Sequence, residues 1–296
     1  MKIKLGTNLG FAINRYIEPE VWAKIVREDL DLSSVQFVAD LLNPLLPEDY
    51  IESQIARIQE SVKRYDITVD SIFTSAYTRV NHLMHPDEEA RKIWYNWFER
   101  LFKIGAQLGC TTGGSHFGIM TFDSYDNNYD HILEEGVKGW QKLSFYAKEL
   151  GYKSLIFEPM SVPREMGNTI GESRKLMDMV NANCGIPMEV CLDIGHAPHP
   201  DERDPYPWVE ELGAVSPIIH LQQTVLHKSN HWPFTKEYNE DGLIQGEKFM
   251  KALEKSGCKE TILMFEISHR EHWDTEFKII PELAESTRYW REWVKD

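Results

Sequence analysis

Four residues with metal-binding side chains, Glu158, Asp193, His220 and Glu266, each stand at or just past the end of a short apolar run. Glu158 closes Leu155-Ile156-Phe157, and Asp193 closes Val190-Cys191-Leu192. His220 follows Ile218-Ile219, and Glu266 follows Leu263-Met264-Phe265. A carboxylate or imidazole in such a place is costly to bury unless something pairs with it. Two Glu, one Asp and one His make a hard-to-intermediate donor set suited to one divalent ion such as Mn²⁺, Mg²⁺ or Co²⁺. A helix cap, a salt bridge or a satisfied core histidine would explain any one of them. Four at the ends of successive runs point to a metal centre.

Such ligands converge only if the runs lie side by side. Strand-like segments fall at 3–8, 34–41, 67–75, 111–117, 154–160, 188–193, 218–224 and 261–268, most of them rich in Val, Ile, Leu and Phe. Helical segments lie between them. The segment 18–30 carries Pro19 in its first turn, and 47–65 places Ile51, Ile55, Ile58 and Val62 on one face. The segment 85–108 opens with Pro86-Asp87-Glu88-Glu89, and further helices are expected at 129–150 and 276–294. Gly109, Gly151 and Gly257 are placed to end helices. Eight βα units at intervals of roughly 30–45 residues match a (β/α)₈ TIM barrel, a fold of about 250 residues or more. The first turn, Gly6-Thr7-Asn8-Leu9-Gly10-Phe11, lacks the phosphate-binding glycine pattern of a doubly wound sheet. With no Pro/Gly/Ser-rich linker, residues 1–296 are expected to form a single domain. Barrel enzymes carry their chemistry at the C-terminal strand ends, where strands five to eight would each present one ligand.

Composition narrows the partners. The chain has 32 basic against 47 acidic residues, a formal net charge of −15. A general acidic surface argues against nucleic acid or an anionic membrane, while a local basic pocket for one phosphate or carboxylate stays open. No apolar stretch reaches the length of a bilayer span, and the first residues run directly into a strand-like segment, so a cytoplasmic protein is expected. Cys110, Cys184, Cys191 and Cys258 are scattered and read as reduced thiols.

The order Glu158-Pro159-Met160 with Arg164-Glu165, then Asp193-Ile194-Gly195-His196, then His220, then Glu266-Ile267-Ser268 resembles the xylose isomerase-like TIM barrels. Within them it is most similar to the sugar isomerase/epimerase branch that includes ketose 3-epimerases. The resemblance implies that Glu158, Asp193, His220 and Glu266 bind one divalent ion, often Mn²⁺, and that the substrate is a small carbohydrate. It also implies that Glu158 and Glu266 transfer a proton to and from a carbon beside the carbonyl, through an enediolate stabilised by the ion. His196 corresponds to a histidine that hydrogen-bonds a substrate oxygen, and Glu165 to a glutamate that holds substrate hydroxyls. One extra residue separates Glu158 and Glu165 relative to the family pattern.

Other residues are positional candidates. Gly113-Gly114-Ser115-His116 would bring exposed N–H groups and His116 to the mouth, or form a tight turn, and Asn8 would line the pocket at the first strand. The family's arginine after the strand-seven histidine is missing. Lys228 is the candidate for its place, though equally suited to a solvated loop, and Gln222 is a candidate to enter the mouth. That departure leaves decarboxylation of a 3-oxo sugar acid as an alternative chemistry and a non-catalytic sugar-binding barrel as a third reading. The aromatic helix faces around Trp94, Trp97 and Phe98, and around Tyr289, Trp290 and Trp293, suit packing on the barrel or a contact in a homodimer or homotetramer.

Overall fold

A computed structural model describes residues 1–75, 78–196 and 201–295. Eight parallel strands close into a barrel in chain order: β1 (Lys2–Asn8), β2 (Ser34–Val38), β3 (Thr68–Phe73), β4 (Thr112–His116), β5 (Ser154–Glu158), β6 (Met188–Asp193), β7 (Ile218–Leu221) and β8 (Glu260–Phe265). Closure comes from β1 on β8, with Thr7 opposite Phe265. Packing density groups the chain into two compact units, Met1–Gln36 with Ala56–Val69 and Cys191–Asp296, and Phe37–Ile55 with Asp70–Val190. The divisions fall inside the continuous strands β2, β3 and β6 and inside the helix Glu48–Arg64.

The first unit holds α1 (Pro19–Lys24), which continues as a π-turn at Ile25–Asp29 in place of a regular last helical turn. It also holds α7 (Pro205–Leu212), α8 (Lys236–Asp241), α9 (Gly246–Lys255), α10 (Trp273–Glu276) and α11 (Ile279–Trp290). Trp290 is fully buried, edge-on to Phe234 and Phe249, so this aromatic face belongs to the core.

The second unit holds α3 (Glu88–Gln107), α4 (Phe122–Asn127), α5 (Tyr129–Glu149) and α6 (Ile170–Asn181), while α2 (Glu48–Arg64) crosses the boundary between the units. Asp87 caps α3 by accepting from the N–H groups of Glu89 and Ala90, which explains why the acidic run begins a helix there. Trp97, Phe98 and Phe102 turn inward and are buried, Phe98 packing on Trp140, whose indole N–H donates to the Phe117 carbonyl. Helix packing claims this face too. Gly109, Gly151 and Gly257 take positive φ after their helices, the conformation a glycine terminator supplies without strain.

Candidate metal centre and proton-transfer site

Strand register assembles the candidate residues. Asp193 at the end of β6 lies opposite His220 of β7, and Glu266 follows β8 directly. The Asp193 and His220 side chains are fully covered, while that of Glu266 stays 24 % exposed. His220 Nδ1 lies 3.2 Å from Glu266 Oε2. Glu158, at the end of β5, completes the set: one ligand atom from each of Glu158, Asp193, His220 and Glu266 falls within 4.8 Å of every other. Three carboxylates that close would repel strongly in a low-dielectric interior, and burial removes the water that would screen them. A divalent cation among them turns that repulsion into attraction, so the donor set fits the ion the sequence implies.

Neighbouring groups hold the candidate ligands in orientation. Asp193 Oδ1 accepts from the Gly195 N–H at 2.7 Å, and Oδ2 accepts from Gln222 Nε2 at 2.8 Å. His196 Nε2 lies 3.4 Å from the same Oδ2, which puts this candidate substrate-binding residue beside the ligand set. The β7 loop folds back through a bridge between Gln223 and Trp232, and Gln222 Oε1 accepts the His231 N–H. His231 sits at φ 51°, a left-handed conformation that favours glycine or asparagine, and its Nδ1 lies 3.6 Å from Glu266 Oε2. Asp193, His196 and His231 form a second close trio that shares Asp193 with the first set. Reading the sequence singled out Gln222 as a mouth residue but missed His231, whose only signal was its place in a polar loop.

The other candidates divide. Glu165 is buried and paired with Arg79, while Arg164 lies 3.8 Å from its other oxygen. His116 is buried, with Nε2 bonded to the Val80 carbonyl and Nδ1 beside the Ser115 hydroxyl, so its ring nitrogens are engaged inside the fold. Burial pushes its pKa down to about 4, opposed by the Val80 bond and the nearby charge of Glu158. Lys228 lies exposed on a turn whose backbone is fixed by Thr224 Oγ1 bonding to the Lys228 carbonyl. Asn8, expected to line the pocket, has both ends of its amide engaged: Oδ1 accepts from Gly10 N–H and Nδ2 donates to Gln36. Gln36, fully buried in β2, was overlooked in the sequence because a lone glutamine in Val-Gln-Phe-Val has no telling spacing.

The profile of the xylose isomerase-like TIM barrels matches residues 27–293. The chain belongs to that family and is an enzyme of its sugar isomerase/epimerase branch. It is similar to the D-erythrulose 1-phosphate 3-epimerase of Brucella abortus (strain 2308), with 32% identity over 98% of this chain and 96% of that one. Among solved structures, a putative xylose isomerase from Rhodospirillum rubrum ATCC 11170 superposes with a TM-score of 0.89 at 24% identity, covering 99% of this chain and 100% of that one. A D-psicose 3-epimerase crystallised in the presence of D-fructose gives a TM-score of 0.70 at 18% identity, covering 98% and 99%. These two structures establish the likeness of fold. Among the described residues, no helix is long and apolar enough to cross a membrane.

Proposed function

We propose that this chain is a divalent-metal-dependent 3-epimerase of a small ketose phosphate. The observation that carries the reading is the presence of two glutamates, Glu158 and Glu266, in one group of ligand atoms within 4.8 Å of one another. The substrate class is suggested by the 32% identity to a ketose-phosphate 3-epimerase along nearly the whole chain.

A C–H beside a ketose carbonyl is a weak acid, and its removal needs a positioned base and stabilisation of the charge that moves onto oxygen. A divalent ion held by Glu158, Asp193, His220 and Glu266, with Mn²⁺ our choice, supplies Lewis acidity toward the substrate oxygens. Glu158 removes the C3 proton from one face, and Glu266 delivers a proton to the other, so the centre inverts. In the reverse direction the two exchange roles. His196 hydrogen-bonds an oxygen next to the reacting carbon, Glu165 accepts from substrate hydroxyls, and Lys228 meets the anionic end.

The test is Mn²⁺-loaded protein in D₂O with D-erythrulose 1-phosphate, erythrulose and D-fructose, followed by NMR. Deuterium should enter C3 of both epimers of the phosphate and disappear in Glu158→Gln and Glu266→Gln. Release of CO₂, or exchange at a carbon other than C3, would overturn the reading.

A further inference from the structure

His220 is the one nitrogen donor in the four-residue set, and which of its ring nitrogens carries the proton decides which can bind an ion. A hydrogen-bond chain fixes the answer from the backbone outward. The Gly10 N–H donates to Asn8 Oδ1 at 2.7 Å, and a main-chain N–H cannot reverse. Asn8 Nδ2 must therefore be the end that faces Gln36, and it meets Oε1 at 2.7 Å. Asn8 and Gln36 are direct register partners on β1 and β2, which holds the pair side by side. The same Oε1 lies 2.8 Å from His220 Nε2. A carbonyl oxygen only accepts, so Nε2 must carry a proton. Cys191 Sγ, 3.3 Å from that nitrogen, is a weak donor and a weak acceptor and does not reverse the assignment.

We propose that Asn8 and Gln36 are positioning residues that hold the proton of His220 on Nε2 and thereby present Nδ1, on the Glu266 side, to the metal. The relay rests on the reading of the four residues as a metal centre. Its orientation carries a visible cost: Gln36 Nε2 is buried and, among the described residues, has no hydrogen-bond partner. A glutamine kept only to fill the barrel would be free to turn its amide toward a better-satisfied arrangement. Here Oε1 serves two donors while the amide nitrogen goes unserved. Outer partners of this kind fix the tautomer and ring orientation of a ligating histidine and raise its basicity.

The experiment compares wild type with Gln36→Met, which keeps length but removes the acceptor, and Gln36→Glu, which restores acceptor oxygens. Calorimetric titration of the metal-free proteins with Mn²⁺ is expected to show affinity falling about 10–100-fold in Gln36→Met and recovering substantially in Gln36→Glu. In parallel, ¹⁵N-histidine NMR of the metal-free protein, with the His220 signals identified by their loss in His220→Asn, should show a hydrogen-bonded proton on Nε2. That signature should weaken in Gln36→Met and return in Gln36→Glu. Equal Mn²⁺ affinity in wild type and Gln36→Met, or a His220 proton resident on Nδ1 with Nε2 bare, overturns the relay while the metal centre stands. A wild type that binds no Mn²⁺ overturns the metal centre itself, and the proposal falls with it.

Discussion

Gln222 Nε2 donates to Asp193 Oδ2 at 2.8 Å, while the Oε1 of the same side chain accepts the His231 N–H. One fully buried amide thus aims a candidate metal ligand and fixes the turn of the β7 loop that brings His231 toward Glu266. Replacing Gln222 by Leu removes both bonds and leaves the His231 N–H without its acceptor. The expected result is a 10–100-fold loss of Mn²⁺ affinity by calorimetry. The metal-free protein should also lose about 1–3 kcal/mol of unfolding free energy, read from urea titration. Unchanged affinity would mean that Asp193 needs no orientation from Gln222.

Gly195 tests the same contact from the other side without deleting a polar group. A Cβ there would stand 2.3 Å from both Cγ and Cδ of Gln222, a separation real atoms do not tolerate. Gly195→Ala must displace the Gln222 amide, because the surrounding core is close-packed. Its Mn²⁺ affinity should fall in the same direction as that of Gln222→Leu. The double variant should lose less than the sum of the two, since both act through one bond. Full additivity in the titrations would refute the shared route.

The sequence made the barrel and the four candidate ligands legible because apolar runs mark buried parallel strands, and a charged residue ending such a run is locally conspicuous. Strand ends were less legible. The run 218–224 reads as one segment, yet β7 stops at Leu221, where Gln222, Gln223 and Thr224 turn hydrogen bonds to loop partners. The sequence pattern does not delimit α6 or α7; α7 is short, with Pro205 and Pro207 in its first turn. Gln36 escaped notice for a different reason. Its meaning lies in His220, 184 residues away, and no local pattern encodes a contact made across a barrel.

Arg79 and Glu165 supply a prediction on substrate binding. Glu165 is 5 % exposed, and its partner Arg79 reaches it from a half-exposed position. With Arg79 removed, Arg164, 3.8 Å from the other oxygen, is the remaining cation of the two. If Glu165 accepts from substrate hydroxyls, Arg79→Ala should raise KM about tenfold, on the order of 1.4 kcal/mol, with kcat little changed. Glu165→Gln should do the same or more. Steady-state kinetics on D-erythrulose 1-phosphate measures both, and an unchanged KM in the pair would remove Glu165 from the substrate site.

Acid should destabilise the fold through a pair of buried histidines. The rings of His82 and His116 pack at a tilt of 48° with centroids 4.3 Å apart, and His82 is enclosed by Phe98, Trp94 and Trp140. Burial holds the His82 pKa well below 6.5 and that of His116 near 4. Both folded values lie below the unfolded value, so between about pH 6.5 and 4 the unfolded chain binds protons that the folded chain refuses. Their contribution is intact above about pH 6.5 and is lost progressively as pH falls toward 4. Half-buried Glu172 and Glu189 act in the opposite sense, because desolvation raises their pKa and acidification relieves it. The histidine contribution is therefore isolated by difference. His82→Asn keeps an acceptor for the Leu83 N–H and suits the left-handed backbone at φ 35°, but carries no titratable ring. Urea unfolding at pH 7.5 and 4.5 should show a smaller loss in His82→Asn than in wild type. Equal losses would mean that the pair is protonated without cost and that the acid sensitivity lies elsewhere.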